Sequence, residues 1–504
     1  MIGAKLGAFT NPTRGSATLF MTFDFKVAGR TAFSATLALA LVACGGGGGG
    51  GGPIAGPAPT PTPTPPPTTG TCSIANQIAF ADDVLNDWYL FPNLLDNTVD
   101  PASFTAVQPF LDARVAPARA QSRDVGFTFA TSIAEENALI NSGSSAGFGI
   151  RLSFDQTNDR LFILEAFENA PAFQSGIDRG TEILAIGVDS SSLQTVSELL
   201  ASGGTGAVFD ALGPSDPGVT RVIRFAQADG TVLEESISKA DFSLDPVSDR
   251  YGAVIINDGG RNVGYLNLRT FIVGSAADEL RDAFQLFASN NVDELIMDFR
   301  YNGGGLVSVA ETLGDLMGRD QVNNIFSQTV LRPERSDNNE TRLFQTELNA
   351  LQPEGLVLIG TRSTASASEL VTNAMLPYVA SGRIALVGDD TSGKPVGQFA
   401  FDLADCDLRI RAVTFQTLNA NDEGDYFTGL ASVMPNTCRA NDDFTRPLGD
   451  PAEASIATAL DFLAGRSCTP ISGVQGQSVR SVGGPEIVMP EKPSAAQLQI
   501  PGLF

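Results

Sequence analysis

The chain of 504 residues contains no histidine. That alone excludes a Ser-His-Asp triad, a Cys-His pair and every histidine-based metal site. Lysine is scarce: beyond residue 44 only Lys239, Lys394 and Lys492 occur. No two cysteines show CxxC spacing, so no metal or other cofactor is expected. Basic residues number 32 against 57 acidic ones, and a formal charge of −25 argues against nucleic-acid binding and against adsorption to anionic lipid. Long apolar runs are missing too. The run near the start, Phe33 to Ala43, is shorter than the ~20 residues that span a bilayer.

That run follows Lys26 and Arg30 and ends in Leu41-Val42-Ala43-Cys44. A basic stretch, a short apolar stretch and a small-residue box before cysteine read as a lipoprotein signal peptide over residues 1–44, with Cys44 lipidated and so held in a lipid bilayer. The rival reading is a transmembrane anchor. Residues 45–72 are a glycine run followed by Pro, Thr and Ala, a linker that cannot bury a core. Gly45 stands after Cys44, where many lipoproteins kept in the inner membrane have aspartate. By that resemblance the periplasmic side of the outer membrane of a bacterial envelope is the expected location. Four cysteines remain, with three possible pairings. Cys406–Cys438, as a local loop closure, and Cys72–Cys468, tying the ends of the folded region, are the expected disulfides.

About 400 residues are then left for folded domains. Residues 73–140 read as a helical lead-in whose aromatics, Trp88 included, are core and carry no chemistry. Residues 141–243 are rich in β-type stretches. Over residues 244–470 strand and helix alternate: a strand at Val263–Leu266, a helix at Ala276–Ala288, a strand at Glu294–Asp298 and a helix at Val307–Met317. Such alternation implies βα units and a partly parallel sheet, so the fold class is α/β within a multidomain α+β chain. Residues 471–504, rich in Gly, Pro, Ser and Gln, are expected to be a disordered tail.

The chemistry concentrates between Gly355 and Gln398. Leu356–Ile359 is a strand-type run and Leu370–Leu376 a helical one ended by Pro377, with the small residues of TRSTASASE between them. A turn of this kind holds one side chain at a helix N-terminus, where free N–H groups favour developing negative charge. Ser366 is placed to be that side chain. Ile384–Val387 then leads into a loop carrying Lys394, a lysine able to act as base once burial brings its pKa from ~10.4 toward roughly 7–8. Taken alone, the same residues serve equally as a helix N-cap and a loop charge. Two rival motifs fail. Gly388 to Lys394 has phosphate-loop spacing, but Pro395 stands where a magnesium-binding hydroxyl is needed, and Thr391 stands where a Ser-x-x-Lys motif needs serine.

Thr364-Ala365-Ser366-Ala367-Ser368-Glu369 followed by Gly393-Lys394-Pro395-Val396-Gly397-Gln398 resembles the carboxyl-terminal-processing (tail-specific) proteases, a Ser/Lys peptidase family. The resemblance implies Ser366 as nucleophile, Lys394 as base and Gln398 as the residue orienting it; Pro395 departs from the family's usual Gly-Lys-Gly. It also implies that Asn302-Gly303-Gly304-Gly305 supplies an oxyanion donor, the Gly304 N–H with Gly303 as the rival, beside the Ala367 N–H. Residues 141–243 resemble a PDZ domain, through Gly147-Phe148-Gly149-Ile150, Asn169-Ala170-Pro171-Ala172 and Gly180-Thr181-Glu182-Ile183-Leu184-Ala185-Ile186. In such domains the Gly-Phe-Gly loop receives a peptide's C-terminal carboxylate. The expected function is that of a membrane-tethered serine endopeptidase acting on polypeptides with free C-termini, Leu503-Phe504 of its own chain included as a competing ligand. An activating adaptor is a further partner the resemblance leaves unnamed. The alternative is a peptide-binding lipoprotein without turnover.

Overall fold

A six-stranded sheet forms the centre of the computed structural model, which describes residues 72–471, 486–487, 489–490 and 493–504. Its strand order is Ala253–Asp258, Arg261–Asn267, Glu294–Asp298, Gly355–Gly360, Ile384–Gly388 and Thr437–Arg439. The first pair is antiparallel and every later pair parallel. The inner strands are apolar on both faces, as a sheet covered on both sides requires. Leu295, Met297, Leu356 and Leu358 point into one core, while Ile296, Val357 and Ile359 point into the other. The helices Ala276–Ser289, Val307–Met317 and Ala367–Met375 cover the first face. Helix Ala454–Leu463 covers the second. Phe284 is fully buried in the first core, and its replacement by alanine is expected to cost ~3–5 kcal/mol.

A second sheet sets Leu408–Leu418 between Phe129–Thr131 and Ile325–Leu331, with Val396–Leu403 also paired to it. Helices Ile74–Trp88 and Val107–Arg114 pack on it through Ile78, Leu85, Phe110 and Leu111. The stretch expected as a purely helical lead-in thus lends a strand, Phe129–Thr131, to the sheet. A third sheet is built from Ile150–Asp155, Arg160–Ala166, Glu182–Gly187, Thr220–Ala226 and Val232–Ser238, with helix Val196–Leu212 against it. Glu486–Ile487 pairs along the outer edge of Ile150–Asp155.

Two expectations need correction, and a third falls elsewhere. The disulfides are Cys72–Cys406 and Cys438–Cys468, with Cα atoms 5.2 and 5.3 Å apart, not Cys406–Cys438 and Cys72–Cys468. The reason is topological. Cys406 lies in the turn between two strands of the second sheet, where the first helix packs, whereas Cys438 sits on the edge strand of the central sheet, and residue Cys468 follows the helix covering that sheet. Nor are residues 493–504 a disordered tail: Ser494 caps a short helix, Ala495–Gln499, and Ile500, Leu503 and Phe504 are buried. Their apolar side chains find a core that composition alone does not reveal. The expected signal peptide with Cys44 and nearly all of the expected linker lie outside the described residues. Among those described, no helix is long and apolar enough to cross a membrane.

Candidate active site

Three adjacent parallel strands release their chains at the same end of the central sheet, where α/β proteins place their chemistry. Register pairs Asp298 with Ile359 and Gly360 with Gly388, so the segments beyond them start side by side. The first carries Tyr301 to Gly305, the second Ser366, the third Lys394. Hydrogen bonds join them. Asn302 O accepts from Ala365 N–H and Ser368 Oγ, both at 3.1 Å, and Thr364 O accepts from Ser392 N–H at 2.9 Å.

Ser366 stands directly before helix Ala367–Met375 with φ 56° and ψ −115°, outside the regions favoured by a side-chain-bearing residue. Such a conformation costs of order 1–3 kcal/mol and persists only where its surroundings hold it. Glu369 supplies much of that hold. Its Oε2 accepts Ser366 N–H at 3.0 Å and Lys394 N–H at 2.8 Å; its Oε1 accepts Thr391 Oγ1 at 2.6 Å and Gly393 N–H at 2.8 Å. One buried carboxylate therefore binds the serine turn and the lysine loop together. Burial pushes this carboxyl up to about 7. Yet four donors already fill its acceptor positions, and a proton would have to displace one, so the geometry holds the ionised form.

Lys394 Nζ donates to Gln398 Oε1 at 2.8 Å and lies 5.0 Å from the centre of the Phe127 ring. Burial lowers its pKa to about 8, against the opposing pull of Asp124 and Glu369. Gln398 follows a register shift at Gly397, the kind of irregularity that re-aims a side chain, and its Nε2 donates to Phe127 O. Asp124 in turn accepts Tyr89 Oη, Phe127 N–H and Thr128 N–H. The lead-in assigned no chemistry thus braces the lysine. Phe127 acts through a backbone carbonyl, which no side-chain pattern announces.

Gly304 has φ 104°, and a Cβ there would stand 2.7 Å from Ser366 Cβ and 2.9 Å from Ala367 N. Only glycine fits so close to the serine turn. The Gly304 N–H, expected as an oxyanion donor, is occupied by Asn302 Oδ1 at 2.9 Å, whereas Ala367 N–H and Gly303 N–H have no partner among the described residues. Behind this turn the fully buried Arg300 binds Asp298 at 2.7 Å, Glu453 at 2.9 Å and Asp442 at 3.0 Å. Asp442 also accepts Arg179 at 2.6 Å from the third sheet's unit, and the two arginines hold its carboxyl down to about 2. This cluster escaped the sequence reading; its one signal was a charged pair, Asp298 and Arg300, closing an apolar strand.

Residues 262–431 match the model of Peptidase family S41. A carboxyl-terminal-processing protease of Synechocystis sp. is 26% identical over 65% of this chain and 70% of its own length. One from Picosynechococcus sp. is 27% identical over 52% of this chain and 58% of its own. Residues 262–431 are thus a peptidase family S41 domain, in a chain similar to the carboxyl-terminal-processing proteases. It is accordingly a serine-type peptidase. A crystal structure of a candidate S41 protease from Bacteroides fragilis superposes on 76% of this chain and 96% of its own, at 23% identity and a TM-score of 0.59, a likeness of fold.

Away from the S41 site, the third sheet carries the residues expected to receive a peptide end. Strands Ser144–Gly147 and Ile150–Asp155 are separated at Phe148-Gly149, with Gly149 at φ 71°. Gly149 N–H and Ile150 N–H both point to one acceptor, Phe504 O, at 2.8 and 3.1 Å.

Proposed function

We propose that this S41 peptidase is an endopeptidase working through a Ser366/Lys394 dyad. Neutral Lys394 removes the Ser366 hydroxyl proton as Oγ attacks the scissile carbonyl, then returns it to the leaving amine. Water, activated by the same amine, hydrolyses the acyl-enzyme. Gln398 Oε1 fixes the ammonium end, and Ala367 N–H together with a glycine N–H of residues 303–304 stabilises the oxyanion. One observation carries this reading: Glu369 Oε2 accepts the backbone N–H of both Ser366 and Lys394. A carboxylate oxygen that joins the backbones of the two residues supports pairing them, and burial of the lysine favours the neutral form that a base requires.

We also read residues 141–243 as a PDZ domain that selects polypeptides by their C-termini, and Cys44 as a lipid anchor holding the enzyme in the bacterial envelope. The paired N–H groups of Gly149 and Ile150 support the first, the Leu41–Cys44 box the second. Digestion of an unstructured polypeptide by the purified chain, alongside Ser366→Ala and Lys394→Arg, tests the dyad. Guanidinium stays protonated, so Lys394→Arg is expected to be as inactive as Ser366→Ala. Activity in either variant would refute the mechanism. Equal cleavage of free-acid and amidated substrates would refute selection by C-termini.

A further inference from the structure

The segment Gln499–Phe504 occupies the groove and the rim of the catalytic turn at once. At the groove it adds as an antiparallel strand to Ile150–Asp155. Phe504 N–H donates to Ile150 O at 2.9 Å, Ile150 N–H donates back to Phe504 O at 3.1 Å, and Leu152 N–H donates to Gly502 O at 3.0 Å. The Phe504 ring stacks on Phe209 with centroids 5.0 Å apart, in the same core as Phe148 and Ile150. Leu503 is buried among Phe167, Phe242 and Ile272, and its carbonyl accepts Gln497 Nε2 at 2.8 Å. The fit leaves no slack: a Cβ on Gly147 would lie 2.8 Å from Phe504 C.

Three residues earlier the same segment meets the S41 turn. A Cβ on Gly303 would lie 3.1 Å from Pro501 Cδ and 3.2 Å from Gln499 O, and Gly303 adjoins the Gly304 that packs on Ser366. Arg151, fully buried between the two places, donates to Tyr301 O at 2.6 Å and to Pro501 O at 3.1 Å. The segment seated here therefore packs on the glycine turn that carries Gly303, a candidate oxyanion donor. An incoming polypeptide end that adds to the same strand edge has to remove it first, since each edge N–H serves one strand.

We propose that Gln499–Phe504 is a built-in occupant of the groove, that it lowers peptidase activity while seated, and that polypeptides ending in an apolar residue followed by an aromatic one displace it. The inference rests on the reading of residues 141–243 as a C-terminus-binding domain. Its chemistry selects such ends because Phe504 and Leu503 fill two separate apolar pockets, while the Phe504 carbonyl takes both N–H groups.

The test uses the full chain and a labelled free-acid peptide, Gln-Ile-Pro-Gly-Leu-Phe, as probe. Binding is measured in the Ser366→Ala background, so that it does not depend on turnover. Phe504→Asp, or removal of Leu503 and Phe504, is expected to tighten probe binding at least tenfold and, in the active background, to speed cleavage of an unstructured polypeptide several-fold. Probe added to the shortened chain should slow that cleavage again, and its amidated form should not. In the unmodified chain, hydrogen exchange at Phe504 N–H should be slow and should become fast with excess probe, a readout that needs no variant. Unchanged binding in both variants, or Phe504 exchange indifferent to the probe, overturns the proposal. If the probe binds as expected but no version cleaves, the endopeptidase reading fails alone. If the shortened chain cleaves but never binds the probe, the tail inference falls together with the C-terminus reading, and the dyad stands.

Discussion

Two lysines of this molecule share an environment and differ in everything around it. Lys394 and Lys239 are each brought down to about 8 by burial. Each ammonium lies close to a phenylalanine ring, Phe127 at 5.0 Å and Phe148 at 4.8 Å. Lys239, however, donates to two backbone carbonyls, Gly213 O and Pro214 O, both at 2.8 Å. Its own backbone N–H donates to Val219 O at 2.9 Å, not to a carboxylate shared with a serine turn. Lys394 instead donates to an amide side chain, and its own backbone shares Glu369 with the serine turn. A depressed pKa is therefore a consequence of burial at both sites, and what sets Lys394 apart as the proposed base is the carboxylate its backbone shares with the serine turn.

The sharpest break between the two is turnover. Lys394→Met is expected to lower the cleavage rate by at least ~10³, the scale of losing a general base together with nucleophile activation, while Lys239→Met leaves it within about threefold. Comparable losses in both variants would dissolve the distinction. Next in size is Glu369→Gln, whose amide group must face at least one N–H with another N–H. A loss of roughly 2–4 kcal/mol in denaturant unfolding is expected, together with slower cleavage, because a buried donor is left unpaired.

The pH profile should separate the lysines further. Cleavage is expected to rise with pH along a limb centred near 8, and Lys239→Met should leave that midpoint in place. Stability follows a different rule. Between about 8 and the ordinary value near 10.4 the unfolded chain holds a proton that the native lysine has lost, so stability rises with pH across this window. Either lysine contributes to the slope, and Lys239→Met and Lys394→Met should each reduce it by a similar amount in pH-dependent melting. The smallest effect concerns the turn itself. Asp442 links Arg300 behind it to Arg179 of the third sheet's unit and touches neither Ser366 nor Lys394, so Asp442→Asn should weaken cleavage less than Glu369→Gln does, by about tenfold or under in the same assay.

The central sheet was legible because its strands are continuous apolar runs and its helices amphipathic: Glu294–Asp298 and Val307–Met317 stand where the sequence places them. Ser366, Lys394 and Gln398, the proposed dyad and its orienting amide, are carried by short local motifs that stand in the sequence itself. What was not legible depends on chain segments far apart in sequence. Cysteine spacing cannot tell that Cys406 and Cys438 belong to different sheets. Composition cannot tell that Leu503 and Phe504 have pockets waiting. The brace on Lys394 passes through Phe127 O, an atom every residue possesses. The Asn302 side-chain oxygen that accepts the Gly304 N–H, and so bears on the Gly303/Gly304 choice, is likewise invisible in the glycine run.

The Cys72–Cys406 bond has a mechanical consequence. Cys72 stands just ahead of helix Ile74–Trp88, and Cys406 sits at the turn joining Val396–Leu403 to Leu408–Leu418. A pull on the chain ahead of Cys72 is therefore transmitted through a covalent link into a two-stranded ribbon, bypassing the helix that would otherwise unwind first. The load arrives at the turn of the strand pair that carries Gln398, and Leu408–Leu418 passes it to Phe129–Thr131 and Ile325–Leu331 on its two sides. Helix Ile74–Trp88, spared the tension, keeps its seat on the sheet, and the brace around the lysine stays in register under drag.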